Sequence, residues 1–322
     1  MGSGRWSTNV YDAAARFRAA SGASAFAYSD GGATEVHPSL DPRGATRRSL
    51  DSDEHPESVA IAVLFDVTGS MLKVPRTLQT KLPQLLGLLL RHGYVQHPQL
   101  LFGAIGDATC DDAPLQIGQF ESDNRMDDDL SRIWLEGGGG GQKTESYELA
   151  LYFMTRHTHI DCYEKRGKRG YLFIIGDEMA YQKVNPGEVR GVIGDGLEAP
   201  IPLTQILAQV RRKWDTYYIL PEGSSYARDP AVLAFWSNLL GQNLIELSDL
   251  DAVCETIALT VGLGEAEIDL TDGLADLADV GSKAGGAVSR ALATISKAQG
   301  TLVVAAPPAD LSGGRPGGNL RL

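Results

Sequence analysis

Cysteine is scarce in this chain: Cys110, Cys162 and Cys254 are the only three, an odd number at wide spacing. No C-x-x-C pair occurs, so neither a disulfide framework nor a thiolate zinc site is expected. The reading is three reduced, mostly buried thiols. No apolar run approaches the roughly 18 residues that a membrane span needs. The opening stretch "MGSGRWSTNVYDAAARF" lacks the apolar core of a signal peptide, and no second lipidation feature accompanies its Met-Gly start. The expected location is the cytoplasm. Basic residues are in deficit, with 29 Lys and Arg against 41 Asp and Glu and a formal net charge of -12. The isoelectric point is about 5.0. An acidic surface repels phosphate backbones, which argues against nucleic acid and anionic membranes as main partners. Internal repeats are also lacking.

What remains is ordinary globular material: 322 residues, 43% hydrophobic and 22% charged. That is enough chain for one large core with extensions. Residues 1–57 read as an N-terminal arm, partly helical and then irregular. Its helical stretch "NVYDAAARFRAASG" places Val10, Ala13, Ala14 and Phe17 on one face. The arm is expected to pack on the main domain or partly to float. Residues 58–264 alternate buried strands with amphipathic helices. "VAIAVLFDVTGSM" and "GYLFIIGDE" are apolar runs ending in polar loops, as fully buried parallel strands do. Residues 265–300 read as an Ala/Gly-rich amphipathic helix with Leu277, Ala284, Val288, Ala291 and Ile295 on one stripe. Residues 301–322 are expected to be disordered. The fold class is α/β, a doubly wound, mostly parallel central sheet with helices on both faces, an N-terminal arm and an extra C-terminal helix. Sites in such sheets form beyond the carboxyl ends of the strands.

The stretch "GGGGGQKTESYELALYF", from Gly137 to Phe153, nearly spells the phosphate-binding pattern G-x-x-x-x-G-K-[ST]. Gln142 stands where the second glycine belongs. A true phosphate loop also follows a strand, and this one follows a helix candidate, "NRMDDDLSRIWL". Thr144 therefore calls for another role.

The first buried strand ends in Asp66, Val67, Thr68, Gly69 and Ser70, one carboxylate and two hydroxyls in a tight loop. The strand after the glycine loop ends in Gly176, Asp177 and Glu178. Thr144 supplies a further hydroxyl. These are hard oxygen donors with few carboxylates and no His or Cys, a set suited to Mg²⁺ and not to zinc.

D-x-T-G-S closing a first buried strand resembles the metal-ion-dependent adhesion site (MIDAS) of von Willebrand factor type A (vWA) domains of the intracellular bacterial type. Those domains combine D-x-S/T-x-S with a distant Thr and a distant Asp after a later strand. The chain order here is Asp66, Thr68, Ser70, then Thr144, then Asp177. The resemblance spans about residues 58–264, and its five residues together are more specific than D-x-T-x-S alone. It implies Thr68 and Ser70 as direct ligands of Mg²⁺ (or Mn²⁺ or Ca²⁺), Thr144 as a ligand in the partner-bound state, and Asp66 and Asp177 acting largely through coordinated waters. It implies no catalytic residue. The function it implies is a cytoplasmic, Mg-dependent protein–protein interaction or scaffolding module. A partner's Asp or Glu would complete the metal, and the module would work inside a multiprotein assembly that can include an AAA-type ATPase. Homo-oligomerisation through the arm or the C-terminal helix is left open.

The five glycines would let the backbone pass close to the ion and let Thr144 move. Lys143 is then a flanking charge, and Glu145 is expected in the first helical turn. Asp107, closing "LLFGAIGD", is either a metal-water orienter or a turn cap, and Glu178 an extra ligand or a loop acid. His92, His97, His157 and His159 read as surface groups. The alternative is a metal-dependent phosphohydrolase or nucleotide-binding enzyme using the same strand-end site. Against the aspartyl-nucleophile kind, Thr68 stands where a second Asp would serve as general acid. Each residue also has a purely local reading, with Thr144 as a helix N-cap and Asp66 as a strand terminator.

Overall fold

The computed structural model describes residues 4–138, 141 and 143–304, and the side chains of all of these except 70 and 296–304. Six strands form the central sheet: β1 (Val59–Asp66), β2 (Pro98–Ile105), β3 (Leu115–Ile117), β4 (Gly170–Ile175), β5 (Trp214–Pro221) and β6 (Leu244–Leu247). Their lateral order is β6-β5-β4-β1-β2-β3. Every pairing is parallel except β2 with β3. The longer helices are α1 (Thr8–Ser21), α2 (Lys73–Leu86), α3 (Arg125–Arg132), α4 (Tyr147–Arg156), α5 (Leu203–Lys213), α6 (Pro230–Leu240), α7 (Val253–Gly264), α8 (Leu270–Asp279) and α9 (Gly285–Val304). The result is a mixed α/β molecule with helices on both faces of a mostly parallel sheet.

The two faces follow from strand periodicity. All residues of β1 and β2 are buried, and successive side chains point to opposite sides. Ile61, Val63 and Phe65 join a core with α2, α3, α7, α8 and α9. Ala60, Ala62 and Leu64 join a second core with α4, α5 and α6. The small side chains of Ala60 and Ala62 leave room there for Tyr147, Phe153, Trp214 and Trp236, all fully or almost fully buried. The helix after β1 continues as a wider turn over Gly87–Arg91 and ends at Gly93, φ +74, the left-handed residue expected just past a helix end.

The arm is more structured than its composition suggests. Arg47–Ser49 forms a short strand parallel to Thr158–Ile160, which corrects the irregular reading of that stretch. Helix α1 docks on the domain through Tyr11, whose hydroxyl donates to the Gln79 carbonyl at 2.6 Å, and through the ion pair of Arg18 with Asp127 at 3.0 Å. The apolar face read from the sequence lies elsewhere: Val10 is 54% and Phe17 71% exposed.

The C-terminal segment is also corrected. It is not one helix but two, α8 and α9, broken at Gly281, φ +70. Leu277, Ala284, Val288, Ala291 and Ile295 nevertheless all bury against the α2–α7 face. Helix α9 runs on to Val304, into the stretch expected to be disordered, and the rest of that tail lies outside the described residues. No described helix is long and apolar enough to cross a membrane.

Candidate functional site

Strand order reverses between β1 and β4: the chain leaves β1 for β2 and β3, then returns to β4 on the other side. The loops that follow β1, β2 and β4 diverge at their carboxyl ends and leave the crevice where α/β sheets place ligands. Asp66 is the last residue of β1 and is fully buried. Alternation puts it on the same side as Ala62 and Leu64, under the start of α4. Its Oδ1 accepts from the Thr68 amide and the Thr68 hydroxyl, both at 2.6 Å. Its Oδ2 accepts from the hydroxyl of Tyr147, the first residue of α4, at 3.0 Å. Because the Thr68 hydroxyl donates to Asp66, its lone pairs remain available to a cation.

The glycine loop folds over this turn. The Gly69 amide donates to the Gly138 carbonyl at 3.1 Å. A Cβ at Gly138 would sit 2.4 Å from Asp111 Oδ1, so the Asp111 carboxylate would have to shift to admit one. Asp111 in turn accepts the Asp107 amide at 2.7 Å. The loop leaves α3 through residues 133–138 without an intervening strand, so the strand–loop–helix setting of a phosphate loop is not formed. Gly139, Gly140 and Gln142 lie outside the described residues, as does the Ser70 side chain.

Thr144 does not cap a helix, and Glu145 does not enter one. They form a short strand parallel to Met179–Ala180, because residues 177–180 turn back alongside and offer a backbone edge. Glu145 is thereby buried, 2% exposed, instead of solvated in a first turn. Thr144 lies beside Tyr181, whose hydroxyl donates to Asp107 Oδ2 at 2.9 Å. Asp107 is fully buried and its Oδ1 also holds the Thr109 amide at 2.9 Å. It is thus a turn cap and a link between Tyr181 and the end of β2. Asp177 is buried, and its Oδ2 accepts the Tyr226 amide at 3.1 Å. Lys143 pairs with Asp229 at the rim.

Glu178 is buried too, so the loop-acid reading fails. Its carbonyl accepts from Tyr218 at 3.0 Å and from Trp236 at 2.7 Å, which pins its carboxyl inward. There it lies against the Glu145 carboxyl, and neither Oε2 atom has a hydrogen-bond partner. Two carboxyls in contact need a shared proton or a cation. No salt bridge among the described residues reaches Asp66, Glu145 or Glu178. Burial, with the Asp177 charge adding to it and the Thr68 and Tyr147 hydrogen bonds opposing it, pushes Asp66 up to about 7. Burial and then the Asp66 charge push Glu178 up to about 8. Burial, Asp66 and Glu178 raise Glu145 further still.

The structure therefore brings Asp66, Thr68, Asp107, Glu145, Asp177 and Glu178 to one sheet edge, with Thr144 beside Tyr181. Sequence reasoning missed the burial of Glu145 and Glu178 and the aromatic lining of Tyr147, Tyr218 and Trp236. One signal was legible: Gly176 before Asp177. A Cβ there would meet the Tyr147 hydroxyl at 2.1 Å and the Tyr218 hydroxyl at 2.8 Å. The histidines are less exposed than expected. His92 pairs with Asp276 and His157 with Asp195, His97 Nδ1 lies 3.4 Å from that of His55, and His159 alone of the four is mostly in solvent. All three thiols are free, with Cys110 exposed and the other two buried.

The donor set fits a hard divalent cation in one respect and is silent in another. Buried Asp66, Glu145 and Glu178, which no salt bridge among the described residues reaches, beside a hydroxyl whose lone pairs are uncommitted, are the kind of group such an ion neutralises. No group of three or more His, Cys, Asp or Glu among the described residues is arranged to hold a metal by itself; a hydroxyl-rich site needs no such group.

No protein-family model matches this chain, and no curated protein does. Among solved structures, the open conformation of the pilus adhesin SpaC from Lactobacillus rhamnosus GG is similar at 9% identity and a TM-score of 0.46, over 68% of this chain and 31% of that one. Proximal thread matrix protein 1 from the mussel byssus is similar at 9% identity and a TM-score of 0.41, over 66% of this chain and 48% of that one. The chain thus spans about a third to a half of the structures it matches.

Proposed function

We propose that this chain is a vWA-like domain that holds a divalent cation, Mg²⁺ in the first instance, at a MIDAS-type site and uses it to bind an acidic group on a protein partner. One observation carries the reading: Asp66 and Thr68 at the end of β1 lie near Asp177 at the end of β4 across the strand-order reversal, beside Glu145 and Glu178, and no salt bridge among the described residues reaches Asp66, Glu145 or Glu178. Thr68, Ser70 and Thr144 would supply neutral oxygen donors to the ion. Asp66 and Asp177 would orient its waters. The ion would supply an electrophilic point that a partner's carboxylate completes.

What the chain's own residues contribute is orientation and low dielectric. Tyr147 and the Thr68 amide fix both oxygens of Asp66, and Tyr218 and Trp236 hold the loop bearing Asp177 and Glu178. A cation surrounded mainly by neutral oxygens in a desolvated site keeps most of its charge for an incoming anion. The module is proposed to act as a scaffold in the cytoplasm, with an assembly containing an AAA-type ATPase as its setting.

The test is titration calorimetry with Mg²⁺ and Mn²⁺ on the wild type and Asp66→Ala, alongside a pull-down with Mg²⁺ or EDTA. The expected result is cation binding that Asp66→Ala abolishes with the circular dichroism spectrum unchanged, and a partner retained only with the cation. Equal affinity in both proteins would overturn the site.

A further inference from the structure

At the amino-terminal edge of the sheet, opposite the site described above, two imidazoles meet. His55 lies in the turn before β1 and His97 in the loop before β2, 42 residues apart. Their Nδ1 atoms are 3.4 Å apart, and the ring centroids are 5.5 Å apart at 76°. His55 is buried, and its Nε2 lies 2.8 Å from the Gly4 carbonyl of the arm. A carbonyl only accepts, so this nitrogen carries the proton, and Nδ1 of the neutral ring keeps a bare lone pair. Both backbones are held in place. His55 and Ser52 exchange amide–carbonyl hydrogen bonds at 3.1 and 3.0 Å, and the His97 carbonyl accepts the Val59 amide at 2.9 Å. Each histidine also precedes a proline, Pro56 or Pro98, which disfavours helical backbone there. Burial, then the His55 and Arg5 charges, lowers His97 from its ordinary value, with Glu57 and Asp51 opposing. Its ring is therefore neutral at pH 7, as a metal ligand must be.

We propose that His55 and His97 hold a transition-metal cation, Zn²⁺ in the first instance, between their Nδ1 atoms. Two nitrogens, each about 2.0–2.1 Å from a tetrahedral zinc, lie about 3.4 Å from one another, which is the separation present here. Hydrogen bonds from N–H groups cluster nearer about 2.9–3.0 Å, so a direct bond between the rings is a loose fit. The contact of His55 with Gly4 is the outer hydrogen bond that a ligating histidine makes through its second nitrogen. Imidazole nitrogen favours zinc, nickel and copper over magnesium, so this edge and the hydroxyl-rich edge take different ions. The eight residues of β1 keep the two sites more than about 20 Å apart. Of the charged groups around the pair, Arg5 opposes a cation, and Glu57 and Asp51 favour one. No group of three or more His, Cys, Asp or Glu among the described residues is arranged around an ion. Water therefore fills the remaining positions, and the Kd is on the order of micromolar, weaker than a closed structural zinc site. The ion fastens the arm to the domain. It joins the turn before β1 to the loop before β2, and His55 in turn holds Gly4, whose carbonyl also accepts the Ser122 hydroxyl at 2.6 Å.

The experiment is a competition titration of Zn²⁺ between the full chain and a chromophoric chelator, with Mg²⁺ in excess so that the strand-end reading is not tested at the same time. The wild type is expected to take up one zinc that excess Mg²⁺ does not displace, and to melt at a higher temperature with zinc than without. His97→Ala should weaken zinc binding at least tenfold and abolish the zinc-dependent rise in melting temperature, with an unchanged circular dichroism spectrum, since His97 is only half-buried. No zinc binding tighter than about 100 μM would leave the pair as a plain hydrogen bond and overturn the proposal. Equal zinc affinity in the wild type and His97→Ala, or displacement of the zinc by Mg²⁺, would place the ion elsewhere and overturn it as well.

Discussion

The Tyr147 hydroxyl donates to Asp66 Oδ2 at 3.0 Å, so the first residue of α4 clamps the last residue of β1. This bond crosses the boundary between the glycine-loop segment and the D-x-T-G-S turn. It joins two motifs that are 81 residues apart in the chain. Both groups are fully buried, so the bond is shielded from bulk solvent.

Tyr147→Phe keeps the ring and removes the donor. A buried acceptor left unsatisfied costs about 1–3 kcal/mol. The expected outcome is a loss of that size in urea denaturation with an unchanged slope, and weaker Mg²⁺ binding. An unchanged midpoint would show that Asp66 does not depend on this donor.

The raised acids predict an unusual pH profile. Asp66 moves from 3.8 in the unfolded chain to about 7, and Glu178 from 4.5 to about 8. Between those limits the folded state holds more protons than the unfolded state, so stability falls as pH rises from about 4 to about 8. A cation favours the ionised acids and offsets this loss. The rise in melting temperature on adding Mg²⁺ should be small at pH 5 and large at pH 8. An Mg²⁺ effect independent of pH would refute the coupling of metal and acids.

Thr68 separates a ligand role from a packing role. Thr68→Ser keeps the hydroxyl and should retain Mg²⁺ affinity. Thr68→Val keeps the shape and should lower the affinity by about 10–100-fold. Calorimetry decides it: equal affinities for Ser and Val would remove Thr68 from the site.

Gly176→Ala tests the close approach of Tyr147 and Tyr218 to the end of β4. The added methyl would overlap both hydroxyls, and overpacking of this kind costs about 1–3 kcal/mol. A neutral substitution would mean that the aromatic pair can retreat.

Gln142→Gly completes the phosphate-loop spelling and should still bind no ATP, because the loop leaves α3 and not a strand. Nucleotide fluorescence titration is the check, and tight binding would reopen the enzyme reading.

Much of the framework was legible because it rests on local chemistry. The unbroken apolar run of β1, closed by a polar loop, reads as a doubly buried strand. Gly93 marked a helix end, and Asp66, Thr68 and Asp177 fell at strand ends by pattern alone. The α1 stripe was readable as a face, but periodicity does not say whether a face turns inward or outward. The break at Gly281 was hidden because an apolar stripe of helical spacing runs through both α8 and α9.

By itself, then, the sequence determined an α/β alternation and the chain order of a hydroxyl-and-carboxylate constellation, since strand burial and turn chemistry are properties of neighbouring residues. Only the tertiary structure decided that Glu145 and Glu178 meet with no salt bridge among the described residues, that Tyr147 clamps Asp66, and that α1 docks by Tyr11 and leaves Phe17 outside. Burial and the raised proton affinities that follow from it are set by what the rest of the chain folds around a residue.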